Sequence, residues 1–265
     1  YLSSFDILDR KIAETQEVSP TVPNVWAWRY DANENQVLIV QPEGNQVVQA
    51  WDERDLLLSV TRGFGSPEAS TSTVAYDGNK SPILMVNGEG RPTSVVMTGY
   101  DQVFKVIDPV GNVQETHYDP ASNSVLTKAF GTVGGPSPAN QLGIGNVLLA
   151  QSELRFDEAS RAYQIDRVLF MPAGVGTTRP VSLQEGPLTP GDNRVTTRFG
   201  FDRLGRQRFL QEDDLDLYQT DFDGPGRGIR TVDGENNEVL TDFDDNSNAV
   251  RVERVEKSTL SGVAD

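Results

Sequence analysis

Phe201-Asp202-Arg203-Leu204-Gly205-Arg206, Phe222-Asp223-Gly224-Pro225-Gly226-Arg227 and Phe243-Asp244-Asp245-Asn246-Ser247-Asn248 are three variants of one phrase. The Asp residues that follow the aromatics stand 21 positions apart, from Asp202 to Asp223 and from Asp223 to Asp244. A second polar turn lies between each pair, Asp213-Asp214-Leu215-Asp216 and then Asp233-Gly234-Glu235-Asn236. A fixed period of this length marks a repeat architecture.

Asp at the first position of a type I turn accepts hydrogen bonds from the backbone that follows, and Gly at the fourth takes the left-handed conformation cheaply. Asp202 and Gly205 occupy those places. Ahead of them, Val195, Thr197, Phe199 and Phe201 alternate with Arg194, Thr196, Arg198 and Gly200, the period-two pattern of a strand with one buried face. Each unit therefore reads as strand, tight turn, strand, tight turn, and the chain as a run of antiparallel hairpins.

Working outward, the same phrase recurs in degenerate form. Phe5-Asp6 is a first copy. Tyr30-Asp31, Trp51-Asp52, Tyr76-Asp77, Tyr100-Asp101, Tyr118-Asp119 and Phe156-Asp157 follow, mostly at 18–25 residue intervals. Asp108-Pro109-Val110-Gly111-Asn112 is the cleanest intermediate turn, with Pro where type I turns favour it. In several copies a residue other than Gly holds the fourth position (Glu34, Asp55, Lys80, Ser122 and Ser160), and Pro225 stands where a type I turn disfavours it, so that turn is expected to differ. Residues 14–24, with Pro20 and Pro23, read as a loop. Long Gly/Pro-rich loops are expected at about 131–146 and 171–193, and a polar tail after Glu256.

The chain has 265 residues, 24 Gly, 15 Pro and no cysteine, with few helical patterns. This favours an all-β chain and removes disulfides, thiolate catalysis and cysteine metal sites. No apolar run approaches 18 residues, so no membrane span is expected. The net charge of −16, from 39 acidic and 23 basic residues, argues against nucleic acid and anionic membrane surfaces as partners. The chain opens on Tyr1 and reads as a processed chain or a piece of a longer one.

Candidate chemistry is sparse. His117 is the only histidine; a Ser-His-Asp reading with Asp119 competes with a plain position in a strand, which we prefer. Acidic runs such as Glu212-Asp213-Asp214 and Asp242-Asp244-Asp245 offer carboxylate pairs for glycoside cleavage, but most of them occupy turn positions where backbone capping explains them. Asp242, Asp244, Asn246 and Asn248 place oxygen donors at every second position, a minority reading for calcium that lacks the Gly and distal Glu of a calcium loop. Gly131-Thr132-Val133-Gly134-Gly135 and Gly143-Ile144-Gly145 lack the Lys-Ser/Thr of a phosphate loop. Trp26, Trp28 and Trp51 are a sugar-stacking platform or, as we prefer, cross-strand packing. No catalytic residue, cofactor site or metal site is assigned.

The aromatic-Asp-x-x-Gly-Arg phrase, in Phe201-Asp202-x-x-Gly205-Arg206 and Phe222-Asp223-x-x-Gly226-Arg227, with the Tyr100-Asp101, Asp108-Pro109-x-Gly111 and Tyr118-Asp119-Pro120 turns, resembles the Rhs or YD-repeat family. The resemblance covers most of the chain outside 131–150 and 171–193. It implies an all-β hairpin-repeat solenoid, a spiralling antiparallel sheet of the kind that forms a shell around a C-terminal toxin domain in polymorphic toxins and Tc complexes, and part of an adhesion ectodomain in teneurins. It further implies one repeat domain over 1–265, a non-enzymatic structural role as shell, scaffold or fibre, and a secreted or cell-surface setting. The expected partners are the rest of a larger Rhs-type polypeptide or other copies through sheet edges, with an encapsulated toxin or a surface glycan as further partners. The rivals are an adhesin or carbohydrate-binding surface, and a glycan-active enzyme using an acidic pair.

Overall fold

The computed structural model describes residues 1–19, 22–131, 146–168, 187–188 and 193–257. They form twenty strands and, among the described residues, no helix. In order these are β1 (Leu2–Phe5), β2 (Lys11–Ser19), β3 (Val22–Tyr30), β4 (Gln36–Val40), β5 (Gln46–Trp51), β6 (Leu57–Arg62), β7 (Ser70–Tyr76), β8 (Pro82–Val86), β9 (Pro92–Met97) and β10 (Val103–Ile107). There follow β11 (Val113–Tyr118), β12 (Ser124–Gly131), β13 (Val147–Phe156), β14 (Ala162–Val168), β15 (Arg194–Phe201), β16 (Gln207–Gln211), β17 (Leu217–Phe222), β18 (Gly228–Val232), β19 (Glu238–Phe243) and β20 (Ala249–Val255). The chain is all-β and antiparallel, a β-hairpin repeat, as the alternation around Phe201 requires.

Contacts divide the chain into two compact units, one built on Tyr1–Val113 and the other running from Gln114 onward. In the first, β1 to β10 pair in chain order; in the second, β12 to β20 do the same. One register runs through both. The residue three places beyond the end of an aromatic-headed turn faces the residue three places before the next aromatic-position residue: Ala13 faces Ala27, Leu38 faces Val48, Ser59 faces Thr73, Arg230 faces Leu240. The same holds for Gln164 and Arg198, across the stretch between β14 and β15.

One expectation is corrected here. Residues 14–24 are not a loop: β2 and β3 run through most of them, with Ala13 to Gln16 paired to Ala27 to Asn24. Pro23 is accommodated close to a register shift between Glu17 and Ser19, where a ladder tolerates a residue without an N–H. β13, with its apolar start at Val147, runs for ten residues. The expected long loops and the polar tail fall almost wholly outside the described residues.

Burial is shallow. Among the described residues only Gly111, Gly131, Asp166, Thr196 and Asp213 are buried, and none of these is a large apolar side chain. The sheet is held by ladder hydrogen bonds, cross-strand pairs and turns rather than by an apolar core. One such pair is Gly200 with Phe209, whose ring covers the glycine so closely that a Cβ there would lie 1.9 Å from it. Gly200→Val is expected to lower unfolding free energy by about 1–3 kcal/mol. The loss will be less than additive with Phe209→Ala, because removing the ring removes the clash; denaturant unfolding of both single variants and the double variant checks this.

Candidate functional site

The recurring site is the aromatic-headed turn. In the Asp202 turn, Asp202 N–H donates to the Arg206 carbonyl (2.9 Å) and Gly205 N–H to the Asp202 carbonyl (3.0 Å). Asp202 Oδ1 accepts from the N–H of Leu204 (2.8 Å) and of Arg206 (2.9 Å), while Arg206 Nε donates to Oδ2 (2.6 Å). The carboxylate thus satisfies two backbone donors that the tight bend would leave unpaired, and a cation locks its other oxygen. The same pair of bonds to Oδ1 forms at Asp6, Asp31, Asp52, Asp77, Asp119, Asp157 and Asp244. The intermediate turns at Asp108 and Asp233 use it as well.

The fourth position takes positive φ whatever residue stands there: Glu34, Asp55, Lys80, Ser122, Ser160 and Ser247 all lie between 57° and 70°, alongside Gly111, Gly205 and Gly226. Each aromatic then sits at a register shift, as at Arg29/Tyr30, Ala50/Trp51, Ala75/Tyr76, Arg155/Phe156 and Asp242/Phe243. This is the bulge that follows a type I turn in a three-residue hairpin. Pro225 changes less than expected. The Asp223 turn keeps both backbone bonds, and Gly226 N–H replaces the missing donor, reaching Asp223 Oδ1 at 2.9 Å.

Tyr100 and Asp101 are not a turn head. Thr98 N–H bonds the Gln102 carbonyl (2.7 Å), Asp101 N–H bonds Thr98 (3.1 Å), and Thr98 Oγ1 accepts from Tyr100 and Gln102 N–H. Tyr100 is the turn's tip, 89% exposed, and Asp101 its positive-φ residue at 58°. A threonine hydroxyl does the work of the carboxylate, and Met97 takes the aromatic's place. With Thr98 as the head, Asp77, Thr98 and Asp119 stand 21 residues apart. The turn assigned to Asp213–Asp216 likewise starts one residue earlier, at Glu212, which bonds Asp216 and Leu215.

The turns are tied to one another. Arg10 lies 4.9 Å over the Tyr30 ring, Arg161 4.7 Å over Phe201, Arg206 4.4 Å over Phe222 and Arg227 4.8 Å over Phe243. Arg227 Nη1 also donates to the Asp244 carbonyl (2.9 Å), as Arg54 does to that of Asp77 (3.0 Å). Aromatics with a donor reach back one unit: Tyr30 to the Lys11 carbonyl, Trp51 to Gln36, Tyr76 to Leu57. Where arginine is absent, Asn33 and Asn35 donate to Asp55, and Asn79 to Asp101. Gly205 and Gly226 leave room for the arginine of the turn before, since a Cβ would lie 3.4 Å from Arg161 Nη1 and 3.3 Å from Arg206 Nη1. Short motif matching could not show this ladder, because each link joins residues 15 to 40 positions apart.

Other candidates are placed as follows. His117 lies half-buried in β11. Both oxygens of Asp244 are taken by its own turn, Oδ2 by Asn248 Nδ2 at 3.0 Å. Glu212, Asp214 and Asp216 bring carboxylate oxygens within 4.8 Å of one another at the β16–β17 turn. Trp26 and Trp28 stand in near-parallel planes, 6.4 Å apart and 11° from parallel, on one side of β3 with Lys11 over Trp28. A network unforeseen in the sequence joins β13, β14 and β15. Buried Asp166 accepts from Gln164 (2.8 Å) and Thr196 Oγ1 (2.9 Å), with Arg194 at 3.7 Å, while Arg194 grips Glu153 (2.6 Å). Asp213 Oδ1 accepts the Thr196 N–H (3.0 Å) just beyond the last β15–β16 ladder pair, between Arg198 and Gln211. Farther along, Asp221, Arg230 and Glu238 form an ion row over three strands, in which Glu238 and then Asp221 raise the Arg230 pKa.

Seven of the turn carboxylates illustrate how their pKa is held low. A side-chain bond from Arg10, Asn123, Arg161, Asn237 or Asn248 is the first cause for Asp6, Asp119, Asp157, Asp233 and Asp244, and partial desolvation opposes it. At Asp202 and Asp223 desolvation is the largest influence and works upward, but the bonds from Arg206 and Arg227 outweigh it.

No protein-family model matches this chain, and no curated protein matches it. Among solved structures, a crystal structure of TcdB2-TccC3 without its hypervariable C-terminal region superposes on 97% of this chain with a TM-score of 0.53 and 9% identity, covering 15% of that chain. A crystal structure of TcdB2-TccC3 (TM-score 0.22, 9% identity) and a Photorhabdus luminescens Tc holotoxin pore (TM-score 0.25, 9% identity) each cover 95% of this chain and 18% of theirs. The first likeness shows the fold alone, an all-β antiparallel sheet of successive hairpins. This chain spans only 15% of that chain's length.

Two outcomes follow. Arg227→Ala loses the stack on Phe243 and the bond to Asp244, and is expected to cost about 1 kcal/mol. Arg227→Lys will recover little of it, since an ammonium lacks the planar fork; thermal unfolding of both variants checks this. Because folded-state values are depressed, the stabilisation is present above the ordinary aspartate value of 3.8 and is lost as pH falls through the lower folded values. Stability against denaturant should therefore hold from neutrality to about pH 4 and fall below it, and Asp157→Asn should flatten that acid limb.

Proposed function

We propose that this chain is a non-enzymatic structural segment of an Rhs-type repeat protein, secreted or at the cell surface, contributing to a shell, scaffold or fibre together with the rest of a larger polypeptide or with other chains. The observation that carries this reading is the ladder. Side chains whose type would suit chemistry, the turn carboxylates and arginines, are spent on bonding their own turn and the next one. The sheet has almost no fully buried apolar side chain among the described residues, as suits a wall one layer thick. The likeness in fold to TcdB2-TccC3 supports the same reading.

A second reading, a sugar-binding surface, is favoured by one observation, the parallel Trp26–Trp28 pair. Glycan-array binding lost on Trp28→Ala would favour it.

A structural repeat can lose one period and still fold, because each unit touches only its neighbours. Excising residues 207–227 joins Arg206 to Gly228 and restores the same turn-to-strand junction one unit shorter. The expected product is a folded β protein with cooperative unfolding and reduced stability, read by circular dichroism and denaturant titration. An unfolded product would sink the repeat-wall reading, and hydrolysis of a polysaccharide panel by the intact chain, lost on one Asp substitution, would replace it with the enzyme.

A further inference from the structure

In the Asp-headed turns the fifth residue, where it is arginine or asparagine, donates to the second carboxylate oxygen of the head. Nε of Arg10, Arg161, Arg206 and Arg227 reaches Oδ2 of Asp6, Asp157, Asp202 and Asp223 at 2.6–2.8 Å. Nδ2 of Asn112 and Asn237 reaches Oδ2 of Asp108 and Asp233 at 2.8 and 2.9 Å. The β8–β9 turn, Asn87-Gly88-Glu89-Gly90-Arg91, has the same frame and departs from the rule by one atom. Asn87 N–H donates to the Arg91 carbonyl (3.0 Å) and Gly90 N–H to that of Asn87 (2.9 Å), with Gly90 at a φ of 76°. Asn87 Oδ1 accepts the N–H of Glu89 and of Arg91, both at 3.0 Å. Its other terminal atom is an amide nitrogen, which cannot accept from a guanidinium. Arg91 Nε pairs with Glu89 Oε2 instead (3.1 Å), and both side chains are more than half exposed.

The residue after Asn87 is glycine, and this is the one Asn-Gly pair in the 265 residues. Packing favours glycine there, because a Cβ on Gly88 would lie 1.8 Å from Ser70 Oγ. Asn87 and Gly88 are exposed, and the Gly88 N–H has no partner among the described residues. An asparagine followed by an unhindered, solvent-facing N–H is the arrangement in which the side chain loses ammonia.

We propose that Asn87 deamidates spontaneously and that the product is an Asp-headed turn like its neighbours. The Gly88 nitrogen, having lost its proton to water, attacks Asn87 Cγ. The Cγ–Nδ2 bond breaks, the side-chain nitrogen leaves as ammonia, and a cyclic imide closes. Water then adds to Cγ and breaks its bond to the Gly88 nitrogen, which yields aspartate at position 87 on an unaltered backbone. If water adds instead to the Asn87 carbonyl carbon, the backbone runs on through Cβ and Cγ as isoaspartate. Either route sums to asparagine plus water giving an acid plus ammonia.

The first step needs the turn to open, because two N–H groups hold Oδ1 while it is closed. Opening is easier here, where Arg91 does not clamp the head. The aspartate product gains that clamp, since Arg91 can leave Glu89 for Oδ2 as Arg206 holds Asp202. Isoaspartate lengthens a turn whose flanks are in register at Leu84–Ser94 and Val86–Pro92, and it returns to the imide by losing water between its free carboxyl and the Gly88 nitrogen. Conversion therefore runs toward aspartate and adds one negative charge.

Ageing the folded chain in buffer and mapping its peptides by mass spectrometry tests this. Asn87 should convert ahead of every other asparagine. Labelling with an isoaspartyl methyltransferase should show a smaller isoaspartate share than in the same chain aged in denaturant, where no turn selects the product. Asn87→Asp, made directly, should raise the folding equilibrium constant roughly two- to fivefold, the range of an exposed ion pair. Arg91→Ala should cancel that gain and leave the Asn87 protein nearly unchanged. Deamidation no faster at Asn87 than at Asn79 or Asn112, an equal isoaspartate share in folded and denatured chains, or an Asn87→Asp variant no more stable than the parent would overturn the proposal.

Discussion

A carboxylate that accepts the N–H groups of its own turn is the constraint on which this structure depends. A three-residue hairpin bends too tightly for the backbone to satisfy itself, and it forces its fourth residue into the left-handed region. Asp at the first position answers the first demand. The second is met by glycine at Gly205 and Gly226 and by other residue types at Glu34, Lys80 and Ser160, which accept the strain because the surrounding bonds over-determine the turn. The bulge that follows turns the aromatic side chain toward the unit before, and that reach makes the ladder possible.

The ladder does part of the work that an apolar core does elsewhere. Arg10, Arg161, Arg206 and Arg227 each neutralise their own aspartate and lie on the next aromatic, and Arg227 also bonds the next turn's carbonyl, so up to three weak contacts act together. Individually such exposed contacts are worth little. Repeated along one edge of each unit at a constant register, they set the spacing of successive hairpins. The arrangement also gives much of the acidic charge of the chain a use: many of the acids that make the net charge −16 are turn heads rather than a surface for a cationic partner.

The buried Asp166, Thr196 and Asp213 show what happens where the repeat is interrupted. The run of sequence between β14 and β15 is far longer than a turn, yet Gln164 still faces Arg198 and Arg161 still lies on Phe201. The register is kept there by a polar network in place of a tight turn, with Asp213 filling the ladder position that β16 leaves empty beside Thr196.

Antiparallel hairpins, their period and most of their turn heads were legible in the sequence, because a turn's demand for Asp and for a left-handed fourth residue is local. The Thr98 turn was not, since a hydroxyl and Met97 meet the same local demand with different letters, and the nearby Tyr100-Asp101 imitates the motif. Strands through residues 14–24 were hidden by prolines whose cost depends on where the ladder shifts. The sequence by itself therefore determined where the chain bends. Which arginine meets which aromatic, which asparagine meets which acid in the next turn, and which hydroxyl reaches buried Asp166 were decided only in the tertiary structure, because those contacts join residues 16 to 40 positions apart and exist only once the register has brought them side by side.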